Sequence, residues 1–189
     1  MSGDDAYGRE LSRALQASGA QLLDEHIKAP DQLLSQNPDL RFVLVRERSG
    51  QRLLLSMGCA ASAHAYKFKT EFVIAVRDGD FERRVLEYVA YFHLTRRHIN
   101  FAECLEIGTY EDEAFTHVYT SVPFFFPRAV NHIEIEEYQY DLLWLMPLRK
   151  EEAEFVATFG SEAFEARLDA SNYDYFDERT DFSYLSPPQ

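Results

Sequence analysis

The chain reads as an α+β domain, a mixed and largely antiparallel sheet with helices packed on it. Three observations predict this. A hairpin pattern occupies residues 41–58, amphipathic helical patterns recur near 9–27, 81–97 and 149–169, and β-rich runs return from 101 to 146 between the last two helices. With 189 residues, 46% of them hydrophobic, the chain is long enough to bury one good core.

In "RELSRALQASGAQLLDEHI", residues 9–27, Leu11, Ala14, Leu15, Leu22 and Leu23 recur at helical spacing, with Gly19 as the one interruption. Two prolines make "KAPDQLLSQNPDL" an irregular connector with room for one helical turn. "RFVLVRERSGQRLLLSMG" is a hairpin about "ERSG", where Gly50 supplies the left-handed turn residue. The next strand, in "YKFKTEFVIAVRDGD", sets Phe68, Thr70, Phe72, Ile74 and Val76 on one face and Lys67, Lys69, Glu71 and Val73 on the other. "FERRVLEYVAYFHLTRRH" collects Phe81, Val85, Tyr88, Val89 and Phe92 on one helical side.

Beyond residue 101, "ECLEIG", "FTHVYTSVPFFF" and "HIEIEEYQYDLLWLM" read as strands, the last alternating and then continuously apolar, as one strand passing from a sheet edge into a covered centre. Pro147 is expected to stop that strand. "LRKEEAEFVATFGSEAFEARL" then starts a helix whose Glu151, Glu152 and Glu154 suit the positive end of its dipole, and Gly160 divides it. Trp144 and "FFF" are expected in the core, with a hydrophobic recognition patch as the alternative for "SVPFFFP", and the acidic, aromatic tail from 169, apart from its last few residues, is expected to pack against the body.

Nineteen Lys and Arg against 32 Asp and Glu leave a net charge of −13, which repels nucleic acid and anionic lipid. Between 101 and 141 nine carboxylates face one cation, Arg128, a patch suited to a basic protein partner. No apolar run is long enough to span a membrane, and the start "MSGDDAYGRE" lacks an export pattern, so a cytosolic protein is expected. Cys59 and Cys104 have neither disulfide nor zinc spacing and read as buried thiols.

Catalytic signatures are missing: there is no GxSxG, HExxH, GxxxxGK[ST] or GxGxxG. "HIE" at 132–134 places His132 and Glu134 on one strand face, compatible with an acid/base pair or metal, and with plain solvent-facing alternation. His93 and His98, five apart, point to different faces of a helix, against a shared metal. His26, His64 and His117 have no partner nearby in sequence, and the adjacent carboxylates Glu111, Asp112 and Glu113 read as a solvated loop.

Taken in order, several stretches resemble the suppressor of fused family. "LLLSMG" looks like its early strand ending in a glycine, at Gly58, and "KFKTEFVIAV" like its central strand with a Glu, at Glu71. "LLWLMPLRKEEAEFVATFG" is similar to the family's strand, turn and Glu-Glu helix, carrying Trp144, Pro147, Glu151 and Glu152. "DERT" matches a late Asp-x-Arg element on Asp177 and Arg179. The resemblance implies a family domain over 40–184, preceded by an N-terminal helix and connector over 1–39 that packs on it and followed by a tail at 185–189. It has no room for the second domain of the animal proteins.

Small bacterial relatives are associated with immunity proteins that neutralise toxins. The resemblance therefore implies a non-enzymatic binding protein without cofactor, acting on a basic toxin domain. Partner contacts are expected at Glu111, Asp112, Glu113, Glu134, Glu136, Asp174 and Glu178, with Tyr173 and Tyr175 as aromatic anchors; Asp177 and Arg179 suit an ion pair that pins the tail. The alternatives are a regulatory or scaffold module without a toxin, and a small hydrolase using His132, Glu134 and a distant histidine.

Overall fold

The structure, a computed structural model, describes residues 3–61, 68–76, 80–108, 114–171 and 185, and only the backbone of 3–5, 24–26 and 61. Glu111, Asp112, Glu113, Tyr173, Asp174, Tyr175, Asp177, Glu178 and Arg179, together with His64 and most of the "RDGD" turn, lie outside the described residues.

Among the described residues six α-helices and eight strands run in the order α1 (Gly3–Ala17), β1 (Gln21–Lys28), α2 (Asp31–Leu34), β2 (Arg41–Arg46), β3 (Arg52–Met57), β4 (Phe68–Ala75), α3 (Phe81–Thr95), β5 (Cys104–Glu106), β6 (Phe115–Ser121), α4 (Arg128–Asn131), β7 (His132–Ile135), β8 (Tyr138–Arg149), α5 (Lys150–Phe159) and α6 (Ser161–Ala170). The strands form one sheet, β1-β2-β3-β4-β8-β6-β5, with β7 paired to the first part of β8. β4 and β8 run parallel; the other pairs are antiparallel. This is the mixed, mostly antiparallel sheet that the alternating runs predict.

Both sheet faces are covered. On one side Phe42, Leu44, Leu54, Phe72, Ile74, Leu143 and Leu145 pack against Val85, Leu86, Val89 and Ala90 of α3. On the other, Val45, Leu53, Leu55, Val73, Leu142, Trp144 and Met146 meet Tyr7, Leu11 and Leu15 of α1 and Phe164 and Leu168 of α6. Two-sided burial is why β2, β3 and the second half of β8 read as continuous apolar runs.

Three local expectations change. The helix expected over 9–27 ends at Ala17: Gly19 sits at φ 85°, the chain turns, and β1 pairs antiparallel with β2. A glycine inside a helix costs about 1 kcal/mol, and the strand adds a ladder and sets Leu22 and Leu23 against opposite cores. Packing outweighs the helical spacing. "HIEIEEYQYDLLWLM" is a hairpin instead of one strand, turning at Glu136 with φ 55°, so Glu136 leaves the face it would have shared with His132 and Glu134. No glycine or asparagine marks that turn in the sequence.

Pro147 does not stop β8, which continues to Arg149. The β4 ladder ends at Val73↔Trp144, and from there β8 keeps one partner, β6, so the proline falls where only one edge must bond. At the following helix, the Arg149 N–H donates to Glu152 Oε2 at 2.8 Å, a capping contact that orders the α5 start.

Cys59 is buried and Cys104 half-buried, both as free thiols. Among the described residues no helix is long and apolar enough to cross a membrane.

Candidate functional site

β4 and β8 put their side chains in register: Phe68 lies beside Gln139 and Thr70 beside Asp141. β7 extends both rows, His132 opposite Asp141 and Glu134 opposite Gln139. These residues share the α3 side of the sheet with Phe72 and Leu143. α3 ends at Thr95, and past it one row runs from buried Thr70 to exposed Phe68. They floor a groove of about 840 Å³.

The walls are loops with internal bracing. On one side Arg97 pairs with Glu103, the Asn100 N–H donates to Glu103 Oε2 at 2.9 Å, and Thr120 Oγ1 donates to the Asn100 carbonyl at 2.7 Å. These contacts hold Ile99 and Phe101 over the floor. On the other side Asn131 Nδ2 donates to the carbonyls of Pro123 at 2.7 Å and Phe126 at 3.3 Å, folding "PFFFP" into a turn. Phe124 and Phe125 rest on Trp144, with ring centroids 5.3 and 5.4 Å away.

The "FFF" run is therefore divided: Phe126 is core, and Phe124 stands on the groove rim. Five large hydrophobic side chains are exposed among the described residues. Four of them, Phe68 (51% exposed), Phe101 (49%), Val122 (47%) and Phe124 (55%), line this one groove; the fifth, Phe159, is on α5. A monomer scatters exposed apolar groups singly, and a cluster marks a contact surface.

Polar chemistry sits beneath that rim. His132 Nδ1 lies 2.7 Å from Asp141 Oδ1, and its Nε2 lies 3.3 Å from Glu134 Oε1. The bond to Asp141, helped by Glu134, raises the imidazole above its ordinary range and favours the cation. His98 behaves oppositely, since burial lowers it despite Glu103 and Asp141. Gln139 Nε2 donates to both Asp141 oxygens, at 3.2 and 3.0 Å. Thr70, the hydroxyl of the described lining, is 3.5 Å from His98 Nε2 and is not joined to His132. Among the described residues the His–Asp pair has no hydroxyl or thiol placed on it.

His93 and His98 do approach each other, with rings 5.1 Å apart, because the chain turns back after Arg96; the helical spacing that separated them ends there. His93 Nδ1 accepts from the Ile99 N–H at 3.2 Å, a structural bond. Among the described residues no three His, Cys, Asp or Glu side chains converge as a metal-binding group.

The expected site residues separate into two sets. Glu134 stands at the groove edge; Glu136 is in the β7–β8 turn. Gly58 and Glu71 belong to the scaffold. The buried Glu71 carboxylate accepts from Ser56 Oγ at 2.6 Å and from the N–H groups of Gly58 at 2.7 Å, Cys59 at 3.2 Å and Ala60 at 3.0 Å. It ties β4 to the turn after β3. Trp144 is core and Glu152 caps α5, whereas Glu151 is exposed.

In the acidic stretch 101–141, Glu103 pairs with Arg97 and Asp141 is hydrogen-bonded to His132. Asp141, Gln139, Asn131 and His98 carry the groove chemistry and were not anticipated as site residues. The grouping of Phe68 and Thr70 with Phe72 was the available sequence signal. It lacked the partner strand.

A family model described as suppressor of fused protein (SUFU) matches residues 40–179. Among solved structures, the chain is similar to a suppressor of fused homolog from Neisseria gonorrhoeae, with TM-score 0.72 and 18% identity over 93% of this chain and 96% of that one. It is also similar to a chain of the Sufu–Fu complex, with TM-score 0.65 and 10% identity over 92% and 85%. Drosophila Suppressor of Fused matches at TM-score 0.53 and 9% identity over 76% of this chain, which spans 45% of that protein. At these identities the likeness concerns the fold. Among curated proteins none matches by sequence.

Proposed function

The chain belongs to the suppressor of fused protein family, and from that premise we propose that it is a non-enzymatic domain that binds another protein, an immunity protein that neutralises a cognate bacterial toxin by covering its active surface. The observation that carries the reading is the gathering of Phe68, Phe101, Val122 and Phe124 around one groove. Aromatic and aliphatic groups at half exposure form a contact surface that a partner completes by excluding water. A similarly folded chain is found in the Sufu–Fu complex.

A net charge of −13 favours a basic partner and a fast, salt-sensitive encounter. Glu134, at the groove edge, and the carboxylates Glu111, Asp112, Glu113, Asp174 and Glu178 are the proposed steering contacts. Glu136, Tyr173 and Tyr175 complete the proposed contact set.

The test is a pull-down with the tagged chain at low and at high salt, with mass spectrometry of what is retained. The expected result is one basic protein, released by salt, toxic when produced alone and harmless when produced with this chain. A retained protein that is not toxic removes the immunity role and leaves a regulatory module; retention of nothing at low salt overturns the binding reading itself.

A further inference from the structure

We propose that the groove takes a segment of the protein partner carrying a bulky apolar side chain next to a basic one, with the basic group held by Asp141 and Asn131. This rests on the protein-binding reading and goes further, because it assigns the chemistry of the occupant.

Asn131 is about nine-tenths buried and lines the groove. Its Nδ2 is committed to the Pro123 and Phe126 carbonyls, which fixes the amide orientation. Its Oδ1 is buried and has no hydrogen-bond partner among the described residues. A buried acceptor without a donor is costly, and native proteins rarely leave one unless something else supplies the proton.

Asp141 is the second acceptor. Oδ1 takes His132 and Gln139, whereas Oδ2 takes Gln139 alone, at 3.0 Å. Two donors of the floor, His132 Nδ1 and Gln139 Nε2, are already spent on this carboxylate. An incoming ammonium or guanidinium group supplies several donors at once and carries the charge that Asp141 and Glu134 favour.

Arg128 is the opposing feature. It is exposed at the groove edge and would attract an anion, but an anion reaching the floor would meet the Asp141 carboxylate and the unsatisfied Asn131 Oδ1. A cavity of about 840 Å³ is larger than one side chain needs and suits several residues of a peptide. Phe68, Phe101, Val122 and Phe124 would enclose the apolar neighbour.

Two probes decide the matter, the capped dipeptide amides N-acetyl-Phe-Lys-NH2 and N-acetyl-Phe-Glu-NH2, titrated into the full chain and followed by 1H–15N spectra. The Lys peptide is expected to shift the amides of Ile99, Phe101, Asn131 and Leu143 and to bind about ten-fold more tightly than the Glu peptide. Asp141→Asn is expected to bring that ratio close to one. Phe124→Ser, which removes a 55% exposed ring resting on Trp144, should weaken both peptides and keep the ratio.

A Glu peptide that binds as tightly as the Lys peptide, Lys-peptide shifts that fall outside the groove, or a ratio that survives Asp141→Asn overturns the proposal. The two readings fail separately. A protein partner that binds wild type and Phe124→Ser alike sinks the groove assignment and leaves protein binding in place; selective Lys-peptide binding with no partner retained does the reverse.

Discussion

The Gly58 N–H donates to Glu71 Oε1 at 2.7 Å, and this bond joins the turn after β3 to the middle of β4 inside the core. The two oxygens of Glu71 together take four donors, one from Ser56 and three from the backbone. Glu71→Gln replaces one oxygen by an amide that faces two of those donors. Each buried donor left unsatisfied costs about 1–3 kcal/mol. The variant is expected to lose at least about 2 kcal/mol in equilibrium urea unfolding, and an unchanged midpoint would show that the turn holds without the carboxylate.

Burial pushes Glu71 up to about 7, against the lowering pull of the Ser56 hydroxyl and the Ala60, Gly58 and Cys59 N–H groups. Its ordinary value is 4.5, so between those two values the folded chain binds the proton more tightly than the unfolded one. The stabilisation this provides is complete below about 4.5 and fades as pH rises through about 7, a difference of about 3 kcal/mol. Wild type should lose stability between pH 5 and pH 7.5 relative to Glu71→Gln in paired unfolding curves; parallel pH profiles would contradict the assignment.

Gly58 itself has φ 117°, and a Cβ there would lie 3.1 Å from Leu40 Cα and 3.2 Å from Asn37 Nδ2, which donates to the Gly58 carbonyl at 2.7 Å. Gly58→Ala combines backbone strain with a close approach to backbone atoms that cannot swing aside. A loss of about 1–3 kcal/mol is expected in thermal unfolding. A variant as stable as wild type would mean that the Leu40 segment shifts freely.

α6 is held by Phe164, fully buried and edge-on to Tyr119 with centroids 5.2 Å apart at 70°. Phe164→Ala opens a cavity there and should cost about 3–5 kcal/mol. If the measured loss is under about 1 kcal/mol, α6 contributes little to the second core.

His132 is raised first by its bond to Asp141. An NMR titration of the imidazole should therefore show a lower pKa in Asp141→Asn than in wild type, with His98 below the ordinary histidine value in wild type. Because the folded value of His132 is raised, its stabilisation is present below the unfolded value and is lost as pH rises through the folded one. An unmoved His132 would assign the shift to Glu134 instead.

Much of the fold was legible in the chain because the signals are local. Alternation in "KFKTEFVIA" and the "ERSG" turn define β2, β3 and β4, the apolar stripe of 81–92 defines α3, and Gly160 separates α5 from α6. In the structure Gly58 and Glu71 meet in a buried hydrogen bond and Trp144 lies in the second core. What failed were segments whose local pattern admits two answers, 21–28 and 132–149. There, pairing to β2 and a left-handed Glu136 decided.

The sequence by itself determined the charge, the periodicities and hence the set of elements. It also carried the family resemblance. Tertiary structure alone decided the groove. Thr70 and Asp141 are neighbours because β4 and β8 run parallel across a long excursion through α3, β5, β6, α4 and β7. Periodicity reports which face of an element is buried. It carries no information about which distant strand lies beside it, and the meeting of His132, Asp141, Asn131 and Phe124 depends on that pairing.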